Sequence, residues 1–130
     1  MNWNEQKELL KELGYNSYRD YLAGIVWANI RDKAFQVKGE RCVICNRHAT
    51  VLHHRAYTEE VIRGTDVSLL EPLCWDCHNQ VEYDKYGHKE TLCDANRKLD
   101  WYKENKDVWM KRKWSGTYTK MQKEFHHSRK

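Results

Sequence analysis

Five cysteines punctuate the chain, and four of them form two Cys-x-x-Cys pairs. These are Cys42 and Cys45 in "CVIC" and Cys74 and Cys77 in "CWDC", with 28 residues between the pairs. A Cys-x-x-Cys pair is a tight turn that aims two thiols at one point, and two such turns complete a closed tetrahedral site for structural Zn²⁺. Disulfides are a competing reading, but nothing in the sequence signals secretion, and reducing compartments disfavour them. A redox-active pair is a third, and it leaves the second Cys-x-x-Cys unexplained. Structural zinc is therefore the expectation. Four thiolates around Zn²⁺ also remove about two charges from the formal total, which counts cysteine as neutral. Cys93, the odd cysteine, is expected at a packing position in a later helix.

The rest of the composition makes such a staple necessary. Charged residues are 32% of the 130, and aliphatic residues are few, so the core is thin for the length. One compact domain with terminal elaborations is expected. No apolar run approaches the ~18–20 residues of a membrane span. The start, "MNWNEQKELLKEL", is charged and helix-like, unlike a secretion signal, which points to a soluble protein of the cytoplasm or nucleoid with no membrane partner. Charge is uneven along the chain. Residues 1–110 carry 16 Lys/Arg against 18 Asp/Glu, whereas residues 111–130 carry 7 against Glu124 alone, for an overall +4. A basic tail on a near-neutral body suits a polyanion partner, and equally suits a solvated tail that maintains solubility.

Local patterns divide the chain into N-terminal helices over 1–39, a zinc-stapled domain over 40–105 and a basic C-terminal segment over 106–130. Asn4 is placed to cap a first helix ending near Leu13, with Gly14 as its stop. Ser17 opens a longer helix, with Asp20 as capping partner, and the spacing of Tyr18, Tyr21, Leu22, Ile25 and Val26 carries it to about Val37. After the first knuckle, "ATVLHH" reads as a short strand and "RAYTEEVIRGTD" as an excursion turning at Gly64. "SLLEPLC" then reads as a second extended piece. A helix from Asp76 to about Tyr83 begins within the second knuckle, and Leu92, Ala95, Leu99 and Tyr102 mark another. The expected fold class is α+β, mainly helical, with a small zinc-stapled ββα core.

In that core His53 and His54 stand side by side at a strand end. Adjacent strand side chains point to opposite faces, so the two imidazoles are suited to different jobs. His78 follows Cys77 directly, and Glu82 lies four residues on, along the same helix face. With zinc holding hairpin against helix, His53, His54 and His78 are expected to converge on one cleft.

At these residues the chain resembles the HNH (ββα-metal) endonucleases, a treble-clef-like family. "CVIC", "VLHH" and "LCWDCH" match the family pattern in order, and the flanks "HHRAY" and "CHNQVEYDKYGHKETLCDAN" are similar to a small bacterial and phage subgroup. The resemblance covers roughly residues 40–100 and its combined motif is specific. It implies a hydrolase cutting phosphodiester bonds in DNA, with RNA as the alternative substrate. His53 and His78 would be ligands of a catalytic divalent ion, and His54 the general base. Glu82 stands where some members carry a third, histidine, ligand, and its oxygen suits Mg²⁺ or Mn²⁺. The central Asn of the pattern falls near Leu69, which cannot form its hydrogen bond, so Asp66 or Thr65 is expected to brace the base. A homodimer or a larger phage or defence assembly is compatible with the resemblance.

The chemistry needs these residue types. Cleavage requires a proton acceptor near neutral pH, and an imidazole with an ordinary pKa of about 6.5 is one. It also requires positive charge beside the phosphate and the leaving oxygen, which a metal ion supplies. Arg55 is a candidate phosphate clamp or a solvated arginine, and Tyr57 a stacking surface or a cover for the hairpin. Lys111, Arg112 and Lys113, between Trp109 and Trp114, mix charge with stacking surface as nucleic-acid binders do, or form an amphipathic helix end. His48 and His88 are expected to be exposed, and His126 and His127 to be tail residues. The alternative to an enzyme is a zinc-stapled module that binds nucleic acid, or a protein adaptor, without catalysis.

Overall fold

The first helix begins earlier than Asn4 because Asn2 makes a better cap. In the computed structural model, which describes residues 1–108, the Asn2 side-chain oxygen accepts from the Glu5 N–H at 2.8 Å, and its amide donates to the Glu5 carboxylate at 3.1 Å. That two-sided cap starts α1 at Trp3, and the helix runs Trp3–Glu12. Gly14, at φ +95°, takes the chain out of it.

The single helix expected after Ser17 is two. Ser17 does cap with the Asp20 N–H (3.1 Å), but α2 covers Tyr18–Ala23 and α3 covers Ile25–Lys38. The Tyr15 ring lies where any β-carbon on Gly24 would sit, and the Tyr15 hydroxyl accepts from the Val26 N–H at 3.3 Å. Gly24 is extended rather than helical, so the apolar stripe breaks there, and Leu22 and Ile25 are exposed.

Strand β1 is Val51–His54 and strand β2 is Leu70–Leu73; they form the one sheet among the described residues. The Thr50 N–H donates to the Leu73 carbonyl at one end, and the Arg55 N–H to the Leu69 carbonyl at the other, so the strands run antiparallel. Between them α4, Glu59–Arg63, is capped by Thr58 and closed by Gly64 in the left-handed region. Helix α5, Trp75–Glu82, starts inside the second Cys-x-x-Cys, and α6 spans Leu92–Glu104. The fold is thus α+β and mostly helical, with a small sheet and a four-cysteine cluster, consistent with a small zinc-binding domain.

Two compact units share the chain. The first comprises Met1–Glu40 and Leu52–Pro72; the second comprises Arg41–Val51 and the chain from Leu73. The first unit's core gathers Leu9, Leu10, Tyr21, Ile30, Ile62 and Leu70 among others, and Tyr21 is fixed there by its hydroxyl donating to the Ile62 carbonyl at 2.8 Å. Burial raises the Tyr21 hydroxyl to about 12, so it remains a donor at any ordinary pH. The second unit's core joins the four knuckle cysteines to Leu73, Val81, Ala95, Leu99 and Tyr102.

Cys93 does not pack in that core; it is exposed. The buried stripe of α6 is Ala95, Leu99 and Tyr102, and a residue two before Ala95 lies about 200° around the helix from it. Among the described residues no helix is long and apolar enough to cross a membrane.

Candidate metal centre

The second unit is organised around sulfur. In the first knuckle the Asn46 N–H donates to the Cys42 carbonyl (2.9 Å) and the Cys42 N–H to the Arg47 carbonyl (2.7 Å). Asn46 takes the left-handed conformation that the turn needs, φ 62°, which asparagine tolerates well among non-glycine residues. An isolated bridge between Arg41 and His48 closes the turn. In the second knuckle Cys74 is the N-cap of α5, its sulfur accepting from the Cys77 N–H at 3.4 Å.

The four cysteines are buried, and their sulfur atoms all lie within 4.8 Å of one another. A tetrahedral Zn²⁺ with bonds of ~2.3 Å requires sulfur–sulfur edges of ~3.8 Å. The Cys45–Cys74 edge is 3.6 Å, close to that figure and far beyond the ~2.05 Å of a disulfide. None of the four is in a disulfide. Zinc fits this donor set, and the cluster can hold such a metal ion.

Its electrostatics favour a cation. Hydrogen bonds from the Cys74 and Cys77 thiols hold the Cys42 sulfur as a thiolate, far below the ordinary thiol range. Donating to that thiolate pushes Cys74 up to about 11, and hydrogen bonds to Cys42 and Cys74 together with burial raise Cys77 as well. Further negative charges are opposed in so small a buried space. A divalent cation at the centre reverses that balance.

Helix α5 carries the knuckle's neighbours. His78 follows Cys77, its N–H donating to the Cys74 carbonyl at 2.9 Å. Its ring stacks on the exposed Trp75 (centroids 6.0 Å, 25° between planes), and its Nε2 lies 3.9 Å from the Glu82 carboxylate one turn on. The helix therefore brings His78 and Glu82 together as their spacing predicts. Asn79, 5% exposed, has a carboxamide with no hydrogen-bond partner at either end.

The first unit carries the other candidates. His53 and His54 end β1, and both are buried, at 1% and 9% exposure, even though adjacent strand residues face opposite ways. His54 lies nearly parallel to two aromatic rings, Tyr57 (4.9 Å, 7°) and Trp27 (5.0 Å, 28°). Arg55, expected as a phosphate clamp or a solvated side chain, sits 3.9 Å from Glu71, a buried carboxylate on β2 that also pairs with Lys38 at 3.3 Å. Leu69 packs on the first unit's core. Asp66 accepts from the Ser68 N–H and hydroxyl (2.9 and 2.6 Å), and the Thr65 hydroxyl donates to the Glu60 carbonyl (3.3 Å), so both serve their own turn.

His48 and His88 are exposed, as expected. Lys111, Arg112, Lys113, both flanking tryptophans, His126 and His127 lie outside the described residues. Sequence reasoning missed Trp27, Glu71 and Asn79. A lone carboxylate in the apolar stretch "LEPL" was a signal for Glu71, and an asparagine between Cys77 and Val81 one for Asn79. Trp27 left none. No family model, curated protein or solved structure matches this chain.

Proposed function

We propose that the chain is a metal-dependent endonuclease of the HNH type, hydrolysing phosphodiester bonds in DNA. The observation that carries the reading is the order of elements and donors. A strand ends on His53 and His54, an antiparallel strand follows, and a helix opened by two metal-binding cysteines bears His78 and Glu82 on one face. Structural zinc at Cys42, Cys45, Cys74 and Cys77 holds the second unit together. His54 accepts the proton of the attacking water, while His53 and His78, with Glu82, hold a divalent ion such as Mg²⁺ or Mn²⁺. When bound, that ion supplies positive charge for the phosphate and the leaving 3′ oxygen. The open carboxamide of Asn79 beside His78 supports a site built for further ligands, since leaving such a group unpaired costs ~1–3 kcal/mol. Arg55 and the basic segment Lys111–Lys113 contribute affinity for the backbone, which makes binding steeply salt-dependent.

One observation favours a second reading, a zinc-stapled nucleic-acid-binding or adaptor module without catalysis. Leu69 stands where the family pattern has its central asparagine, and its side chain offers no hydrogen bond.

A plasmid-nicking assay with Mg²⁺ or Mn²⁺ separates the two. Wild type should nick, and His54→Ala should lose ~10²–10⁴-fold in rate while still binding DNA and the ion. His53→Ala and His78→Ala should weaken metal dependence, with raised metal restoring part of the rate. If His54→Ala cuts like wild type, the assignment of the base is wrong; if no protein cuts at all, the binding-module reading replaces this one.

A further inference from the structure

We propose that Trp27 and Tyr57 are positioning residues for His54, forming an aromatic slot that fixes the plane of its imidazole. The inference rests on the reading of His54 as the base, and it deepens that reading by giving the N-terminal helices a part in the site.

A histidine on a strand has its Cβ placed by the backbone, but rotation about χ2 is broad and roughly two-fold. The lone pair that takes a proton lies in the ring plane, so an unfixed plane leaves the base unaimed. Two rings close to parallel with the imidazole, at 7° and 28° and with centroids near 5 Å, remove that freedom. Offset-stacked aromatic pairs favour this arrangement.

The slot is itself anchored. Tyr18 meets Tyr57 edge-on (6.1 Å, 77°) and stacks on Tyr21 (5.7 Å, 24°). Tyr21 is 1% exposed, is tied to the Ile62 carbonyl, and lies 6.2 Å from Trp27. The walls of the slot thus come from α3 and from the residues after β1, and α2 braces them. The Leu69 side chain offers no hydrogen bond, and Asp66 and Thr65 are engaged in their own turn. Stacking on Trp27 and Tyr57 thus constrains the ring plane at a place where the family pattern has a carboxamide.

The test uses the full chain and two readouts. In NMR spectra, with assignment by His54→Gln, the His54 ring protons should be displaced upfield by the ring currents of Trp27 and Tyr57. They should move towards ordinary positions in Trp27→Leu and in Tyr57→Leu, two independent variants in case one fails to fold. In plasmid nicking with Mg²⁺ or Mn²⁺, both leucine variants should lose ~10–10²-fold in kcat with KM little changed, as a misaimed group would. Trp27→Phe, which keeps a flat ring, should recover most of the rate. Unshifted protons in a folded wild type that nicks overturn the slot. Folded leucine variants that turn over like wild type overturn its positioning role. A wild type that never nicks while its His54 protons are shifted overturns the endonuclease reading, and the positioning role with it.

Discussion

Withdrawing the metal from the four-cysteine centre should unfold the second unit and leave the first standing. The second unit's buried cluster contains the four cysteines and six other side chains: Ile44, Leu73, Val81, Ala95, Leu99 and Tyr102. Cys77 is wholly inaccessible at the middle of it. Structural zinc contributes about 10–16 kcal/mol in small modules. Whole domains are stable by only about 5–15 kcal/mol, so the loss of the ion is as large as the entire margin. The first unit's core includes none of the cysteines. Helices α5 and α6, of 8 and 13 residues, belong to the second unit, against 10, 6, 14 and 5 for the four helices of the first. Chelation should therefore remove the second unit's share of the far-UV ellipticity, roughly three-eighths of what these six helices contribute, in one transition, the mark of a cooperative local unit.

The assay starts with metal analysis, for which one zinc per chain is expected, and continues with a chelator titration followed by circular dichroism and reversed by added zinc. Cys77→Ser should reproduce the chelated state without a chelator. Thiols are mostly protonated at neutral pH and bind zinc as thiolates, so re-addition should release protons and acidify a weakly buffered sample. A protein isolated without zinc, whose melt ignores strong chelators, would refute the reasoning. Loss of all the ellipticity would refute its second half, the independence of the first unit's core.

Two further outcomes follow from the turns. Gly64→Ala should destabilise the first unit by about 2 kcal/mol, since φ is +83° and the new β-carbon would sit 2.5 Å from Ile30 Cγ1; an unchanged denaturation midpoint would contradict this. Asp84 accepts from the Tyr86 and His88 N–H groups (2.8 and 2.9 Å), and these bonds, the His88 one foremost, hold its carboxyl below the ordinary 3.8. A depressed carboxyl stabilises its turn fully above the unfolded pKa and loses that contribution as pH falls through the folded one. The Asp84 carboxyl should therefore titrate with a midpoint below 3.8, with amide exchange at His88 rising in the same window; a midpoint at or above 3.8 would dismiss the turn's role.

What could be read from the chain and what could not divide along sequence distance. The Ser17 cap, the stop at Gly14, the turn at Gly64 and the start of α5 inside the second knuckle are set by groups three or four residues apart, and each stands as expected. The zinc cluster spans far more chain, yet its donors announce themselves, because Cys-x-x-Cys has few other uses. The break at Gly24 depends on Tyr15, which reaches back from a loop nine residues earlier to occupy the space of a β-carbon. No periodicity encodes that. Asn2 displaced Asn4 for the same kind of reason, since a cap is chosen by the partner that answers it, here Glu5.

The histidine pair shows where this limit meets function. Their adjacency on a strand implies two different tasks, but burial does not tell them apart, because both are within the core at 1% and 9% exposure. Beside His54 stand a tryptophan on a helix 27 residues before it and a tyrosine three residues after it, joined to it by stacking. Stacking has no sequence period and no fixed spacing, so an aromatic in an unremarked helix carries no mark of its partner. If a base must be aimed and the expected carboxamide is a leucine, rings stacked on the imidazole constrain its plane. The rings of Trp27 and Tyr57 are placed to do so, at 28° and 7° to it.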